Sequence, residues 1–296
     1  MYKKPKNLFC LPCDSECWKQ NVPLECSFDF LIGNATRLPD RQTTNWRTMP
    51  FHFCCIPVVG TKEPCKLVEL AESGSFTVRN GDFVFIPAGT THRVSEIGAP
   101  AERICLWMHF NALTMGDVDL LRFFQLPMLT PAAEAGRFAE LMRALIALPH
   151  NLNTVDSIRQ QLIGNVFLAE LVGLGSHREQ AVSVSETAER MQKALAMLKE
   201  EARNVSNREL AAASCLSLSR FLELFRQLTG SSPQQYRENL RFRRACRLLL
   251  ATDRPVSAIA DELGYWDVYH FSRRFKQKSG LPPTEFRRRY RSDGNA

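Results

Sequence analysis

Apolar positions along the chain follow two rhythms. Over residues 28–32, 51–56, 65–70, 75–78, 82–86 and 103–108 they form short runs, and Gly, Pro and Asn fall between them. Runs of this length with such punctuation predict antiparallel strands that close a sandwich or barrel. From Thr130 the period lengthens. Phe138, Leu141, Met142, Leu145 and Ile146 form one stripe, and Ile158, Leu162, Val166, Leu168, Leu171 and Val172 form a second. The spacing predicts two amphipathic helices in a hairpin, which either covers the barrel or pairs two subunits. Residues 1–25 show no period and read as an arm. Residues 173–185 show none either and read as a linker. Residues 186–202 then predict a helix with Met191, Leu195 and Leu198 on its buried side.

The last hundred residues repeat one pattern. Phe221, Phe225, Gly230, Pro233, Tyr236 and Arg237 are followed, each 50 positions later, by Phe271, Phe275, Gly280, Pro283, Phe286 and Arg287. Before each copy sits a short helical segment and a turn, 209–216 and 258–266. A short helix, a tight turn and a second helix with apolar residues at i and i+4 is a helix-turn-helix pattern, and a fixed offset makes it an internal repeat. Ser217 and Asp267 are the natural N-caps of the two second helices. Leu218, Phe221, Leu224, Phe225 and Leu228 have the spacing of a buried face. Pro233 opens a long helix through Leu250 that joins the copies.

These residues, above all Ala258-Ile259-Ala260, Gly264-Tyr265, the run 269–276 and the closing run 280–287, resemble the AraC/XylS family of bacterial transcription regulators from Glu186 to Tyr290. The resemblance implies a doubled helix-turn-helix that reads promoter DNA, and favours an activator working with RNA polymerase as a homodimer. In the family pattern Ser219, Leu222 and Glu223 face base edges in the first unit, beside Arg220 and Arg226. In the second unit Val268, Tyr269, Ser272 and Arg273 face outward, with Arg273 suited to bidentate contact with guanine. Arg274, Lys276 and Lys278 then serve phosphates, which add affinity but little sequence information.

Charge supports this division. The net charge is +7, yet residues 201–296 hold 18 Lys+Arg against 10 Asp+Glu, and the first 200 residues are near neutral. Only the C-terminal part is built to meet a polyanion. No apolar run spans a bilayer and no signal-peptide core follows the basic start, so the expected location is cytoplasmic. Ten cysteines are many for such a chain. Cys10, Cys13 and Cys17 could ligate metal or sense thiol redox, or could simply be small half-buried side chains of the arm.

Asn80-Gly81-Asp82 signals a turn, and the run from Gly81-Asp82 through Pro87, Gly89 and His92 resembles the second motif of the cupin fold. In metal-binding cupins the last histidine is a ligand, but its H-x-H partners are missing here and His52 stands alone. One histidine cannot hold a catalytic metal, so neither metal nor other cofactor is expected, and His92 is assigned to a pocket wall. The expected architecture is therefore multidomain α+β: an N-terminal arm at 1–25, a cupin-like antiparallel sensor barrel at 26–129, a helical hairpin at 130–172, a linker at 173–185 and an all-α doubled helix-turn-helix domain at 186–292. The barrel is expected to hold a small effector, a sugar or related metabolite, against His92, Phe85 and Trp107. The alternatives are a thiol- or metal-responsive regulator using the arm cysteines, and a cupin enzyme fused to a DNA-binding domain.

Overall fold

A computed structural model of the chain describes residues 26–37, 42–60, 63–98, 103–114, 118–149, 152–177, 184–199 and 205–292. The arm at 1–25, with Cys10, Cys13 and Cys17, lies outside them.

The N-terminal half is two antiparallel sheets. Their strands are β1 (Cys26–Arg37), β2 (Arg47–Thr48), β3 (His52–Val59), β4 (Lys66–Leu70), β5 (Gly74–Val78), β6 (Phe83–Ile86), β7 (Thr91–Glu96), β8 (Arg103–Thr114), β9 (Val118–Asp119) and β11 (Leu129–Thr130), while β10 (Phe124–Gln125) lies outside both. One sheet runs β1-β8-β3-β6-β11, with β9 on β8, and the other runs β2-β7-β4-β5. The turn from β5 to β6 uses Gly81 at φ 80°, where Asn80-Gly81 predicted it. Successive side chains of a strand alternate between faces. Phe53, Cys55, Val84, Ile86 and Cys105 therefore pack between the sheets with Val68, Val78 and Val94. Cys54, Ile56, Phe83, Phe85, Met108 and Phe110 point to the opposite face, under helices.

Those helices are α1 (Gly136–Ile146) and α2 (Thr154–Gly173), the expected hairpin. α1 buries Phe138, Met142 and Leu145 as its stripe predicts, and Phe138 stacks on Phe83 at 4.1 Å. On α2 the expected stripe is wrong in part. The buried side is Gly164, Phe167, Leu168 and Leu171, while Ile158 and Leu162 are 56% and 62% exposed. Val155 and Val166 are exposed beside them. Helix α2 is apolar on two sides, so periodicity cannot choose the inner one. Contact with β1 chooses it: a Cβ on Gly164 would lie 2.2 Å from Phe28, so only glycine lets the helix approach so closely. Gln161 clamps the same point, donating to the Phe28 carbonyl at 2.6 Å.

The expected linker is partly structured. β12 (Ser176–His177) pairs with β10, and α3 (Val184–Lys199) begins inside the expected linker range. After it come α4 (Asn207–Ala213), α5 (Leu218–Thr229), α6 (Pro233–Ala251), α7 (Val256–Glu262), α8 (Val268–Ser279) and α9 (Pro283–Ser292). Met191, Leu195 and Leu198 of α3 are buried as expected. Among the described residues no helix is long and apolar enough to cross a membrane.

The 50-residue repeat is a repeat of geometry. Phe221 and Phe225 lie 5.5 Å apart, Phe271 and Phe275 5.6 Å apart. Tyr236 meets Phe225 edge-on at 5.5 Å, as Phe286 meets Phe275 at 5.1 Å. Both second helices end on a left-handed glycine, Gly230 at φ 72° and Gly280 at φ 77°. The hydroxyls of Thr229 and Ser279 donate to the carbonyls of Phe225 and Phe275, both at 2.8 Å.

Candidate nucleic-acid interface

Each unit of the C-terminal domain presents one helix outward. α5 starts at Ser217, whose side chain accepts from the Arg220 amide, and α8 starts at Asp267, which accepts from the His270 amide at 2.6 Å. Both caps stand where the sequence placed them. The buried faces are Phe221, Leu224, Phe225 and Leu228 on α5 and Phe271, Phe275 and Ser279 on α8. Leu218, expected on the buried face, is 38% exposed. It sits in the first turn, before the helix reaches its neighbours.

The rest of each helix faces out. On α5, Ser219, Arg220, Glu223 and Arg226 are exposed and Leu222 is half-buried. Arg220 and Glu223 form a surface ion pair at 2.9 Å. A groove of about 650 Å³ borders this face, lined by Leu222, Glu223 and Arg226 together with Ser232 and Pro233 at the start of α6. On α8, Tyr269, Arg273, Arg274 and Lys276 are exposed, and Val268 and Ser272 are half-buried. Lys278 does not belong with them. It lies three positions beyond Phe275, on the inner side of α8, and donates to Asn239 at 2.9 Å. Burial holds its ammonium pKa below the ordinary lysine value. Lys278 therefore faces α6 and not the outer surface of α8 that carries Tyr269 and Arg273.

The turns entering the two helices differ. α4 leaves through Cys215 at φ 53°, and α7 leaves through Gly264 at φ 70°. The Leu216 amide reaches back to Ala211 and the Tyr265 amide to Ala260, both at 3.0 Å. From Cys215 the next cap is two residues on, but from Gly264 it is three. The additional residue is Trp266, 93% exposed, beside Tyr269 at 83%. Sequence reasoning missed Trp266 as an exposed neighbour of Tyr269. The signal was the difference in turn length.

A helix-turn-helix domain family matches residues 210–289. The arabinose operon regulatory protein of Escherichia coli is 40% identical over 85 residues, 28% of this chain and 29% of that protein. The C-terminal domain is of the AraC type. The MmsAB operon regulatory protein of Pseudomonas aeruginosa is 38% identical over 82 residues, 27% of its length. This chain thus aligns with under a third of either relative. ToxT from Vibrio cholerae shares the fold over 88% of this chain and 98% of its own, with a TM-score of 0.54 and 11% identity.

In the N-terminal half of the chain the expected effector residues separate. His92 and Trp107 belong to the inter-sheet side. Phe53 stacks near His92 at 6.2 Å, and His109 lies 5.1 Å from Phe53 and 5.7 Å from Trp107. Phe85 points to the other face, 5.5 Å from His52 in the core beneath the helices. Period-two alternation makes this unavoidable, because Val84 and Ile86 already occupy the inner side. His92 is buried, and its Nδ1 lies 2.9 Å from the Thr90 carbonyl. Burial, and then the nearby Arg47, lower its pKa to about 4. His109 is buried and held well below the usual histidine value by burial, Arg47 and His92. Among the described residues no group of three His, Cys, Asp or Glu side chains could hold a metal.

Proposed function

We propose that this protein is an effector-controlled transcriptional activator, acting as a cytoplasmic homodimer with RNA polymerase. Two related units, α4–α5 and α7–α8, read successive major-groove segments of promoter DNA. The observation that carries the reading is the repeat of geometry: two capped helices with matching cores, each turning polar side chains outward on a domain of the AraC type. Ser219, Arg220, Leu222, Glu223 and Arg226 form the first reading surface, and Val268, Tyr269, Ser272, Arg273, Arg274 and Lys276 the second. Arg273 takes a guanine edge; Arg274 and Lys276 take phosphates.

In this reading the two sheets form a cupin-like sensor barrel over residues 26–129, without enzymatic activity, and its inter-sheet side near His92 and Trp107 receives a small metabolite. A solved structure of ToxT holds an unsaturated fatty acid, which supports ligand control on this fold. Aromatic contacts supply a route to the DNA-binding domain. His109 meets Phe51 at 4.7 Å, and Phe51 meets Phe242 of α6 at 6.3 Å. The exposed apolar stripe of α2, Val155, Ile158, Leu162 and Val166, supports dimerisation over barrel cover for that helix.

Selection from a random duplex pool with the full chain tests the reading. Enriched sequences should contain two short elements spaced by about one helical turn, roughly 34 Å along the duplex. Enrichment of a single element, or of none, would remove the two-segment mechanism.

A further inference from the structure

A second cavity, of about 470 Å³, lies where the sheets meet the DNA-binding domain. Its walls come from the β2–β3 turn, the β6–β7 turn, the 3-10 turn after β9, the end of α5, α6 and α8. This volume falls in the range of small-molecule sites. Three cationic side chains line it, Arg122, Arg243 and Lys278, against one carboxylate, Asp119. That carboxylate is already engaged, 3.0 Å from His52 Nε2 and accepting from the Leu121 amide at 3.0 Å. Arg243 is half-buried on α6, and its side chain makes no hydrogen bond or ion pair with any described residue. A guanidinium has five donors, and removing it from water without acceptors is costly. Asn239 and Gln277 add neutral polar groups to the same walls.

We infer that this interdomain cleft is a ligand site for a small hydroxylated oxyanion, a phosphorylated or carboxylated metabolite, held chiefly by Arg243. The occupant is not the DNA backbone. Lys278 lies on the side of α8 that carries Phe275, away from Tyr269 and Arg273. A ligand here touches the sensor half and both units of the DNA-binding domain at once, so it would bias their relative placement. The site is separate from the inter-sheet region near His92.

Calorimetric titration of the full chain with glycerol 3-phosphate, malate and uncharged glycerol tests this. At least one of the two anions should bind saturably, one per chain, and glycerol should not. Arg243→Gln should weaken that binding at least tenfold and Arg243→Lys less. Gln277→Leu, on α8, should weaken it severalfold, and Arg273→Ala should leave it unchanged. Failure of both anions to bind, equal binding by glycerol, or wild-type affinity in Arg243→Gln would overturn the proposal. Loss of binding in Arg273→Ala would overturn it too, by moving the anion to the DNA-reading face.

Discussion

Replacing Gly264 probes how α8 is aimed. Gly264 closes α7 in the left-handed region at φ 70°, and a Cβ added there would meet nothing within 4 Å. Packing therefore contributes nothing to the cost, and the backbone contributes all of it. A left-handed residue with a side chain costs roughly 1–2 kcal/mol, offset by roughly 0.5–1 kcal/mol because the unfolded chain loses freedom too. Gly264→Ala should thus destabilise by about 1 kcal/mol, and Gly264→Val by more, since a β-branched residue tolerates that region least. The first unit supplies the reverse experiment. Cys215 holds the matching position at φ 53° with its side chain exposed, so Cys215→Gly should stabilise by about 0.5–1 kcal/mol. Denaturant midpoints read the stability of each variant, and anisotropy titrations of a labelled operator read the aim of the helix. For Gly264→Val, operator affinity should fall by more than stability does, because Asp267, the cap of α8, follows three residues later. A Gly264→Val protein whose two curves overlay those of the wild type would refute the reasoning.

Other consequences are open to direct measurement. Arg273→Ala should cost roughly 1–3 kcal/mol at operators carrying one particular guanine and little at others, whereas Lys276→Ala should weaken all duplexes about equally; competition binding across single-base variants separates the two. Leu162→Glu, in the centre of the exposed α2 stripe, should convert a dimer to a monomer in sedimentation without lowering the melting temperature of the N-terminal half; an unchanged sedimentation coefficient would return α2 to a role within one subunit. The His92 imidazole titrates near pH 4 in the folded protein and near 6.5 when unfolded. Between those values the unfolded state binds more protons, so stability is complete above pH 6.5 and falls as the pH drops toward 4, by up to about 3 kcal/mol. His92→Gln should flatten that part of the stability-versus-pH curve, and an unaltered slope would show that His92 does not carry it.

Much of this molecule was legible along the chain. Strand runs, hairpin helices, both N-caps and the 50-residue repeat are local or periodic signals. A capping serine or aspartate and a left-handed glycine act within a few residues, so they survive translation from sequence to fold. The AraC-type domain was readable for that reason. What failed to read were choices between two faces of one element. Helix α2 is apolar on two sides, and only the close approach of Gly164 to Phe28 decided that Phe167 and Leu171 go in while Ile158 and Leu162 stay out. Strand β6 is apolar at every position, and the pairing with β3 decided that Phe85 turns away from His92. Lys278 looked like any lysine of a basic helix until α6 brought Asn239 against it. Sequence determines which segments become helix or strand, because those preferences depend on neighbours in the chain. Tertiary structure alone decides which side each segment buries and which charges meet, because those depend on residues brought together from far apart.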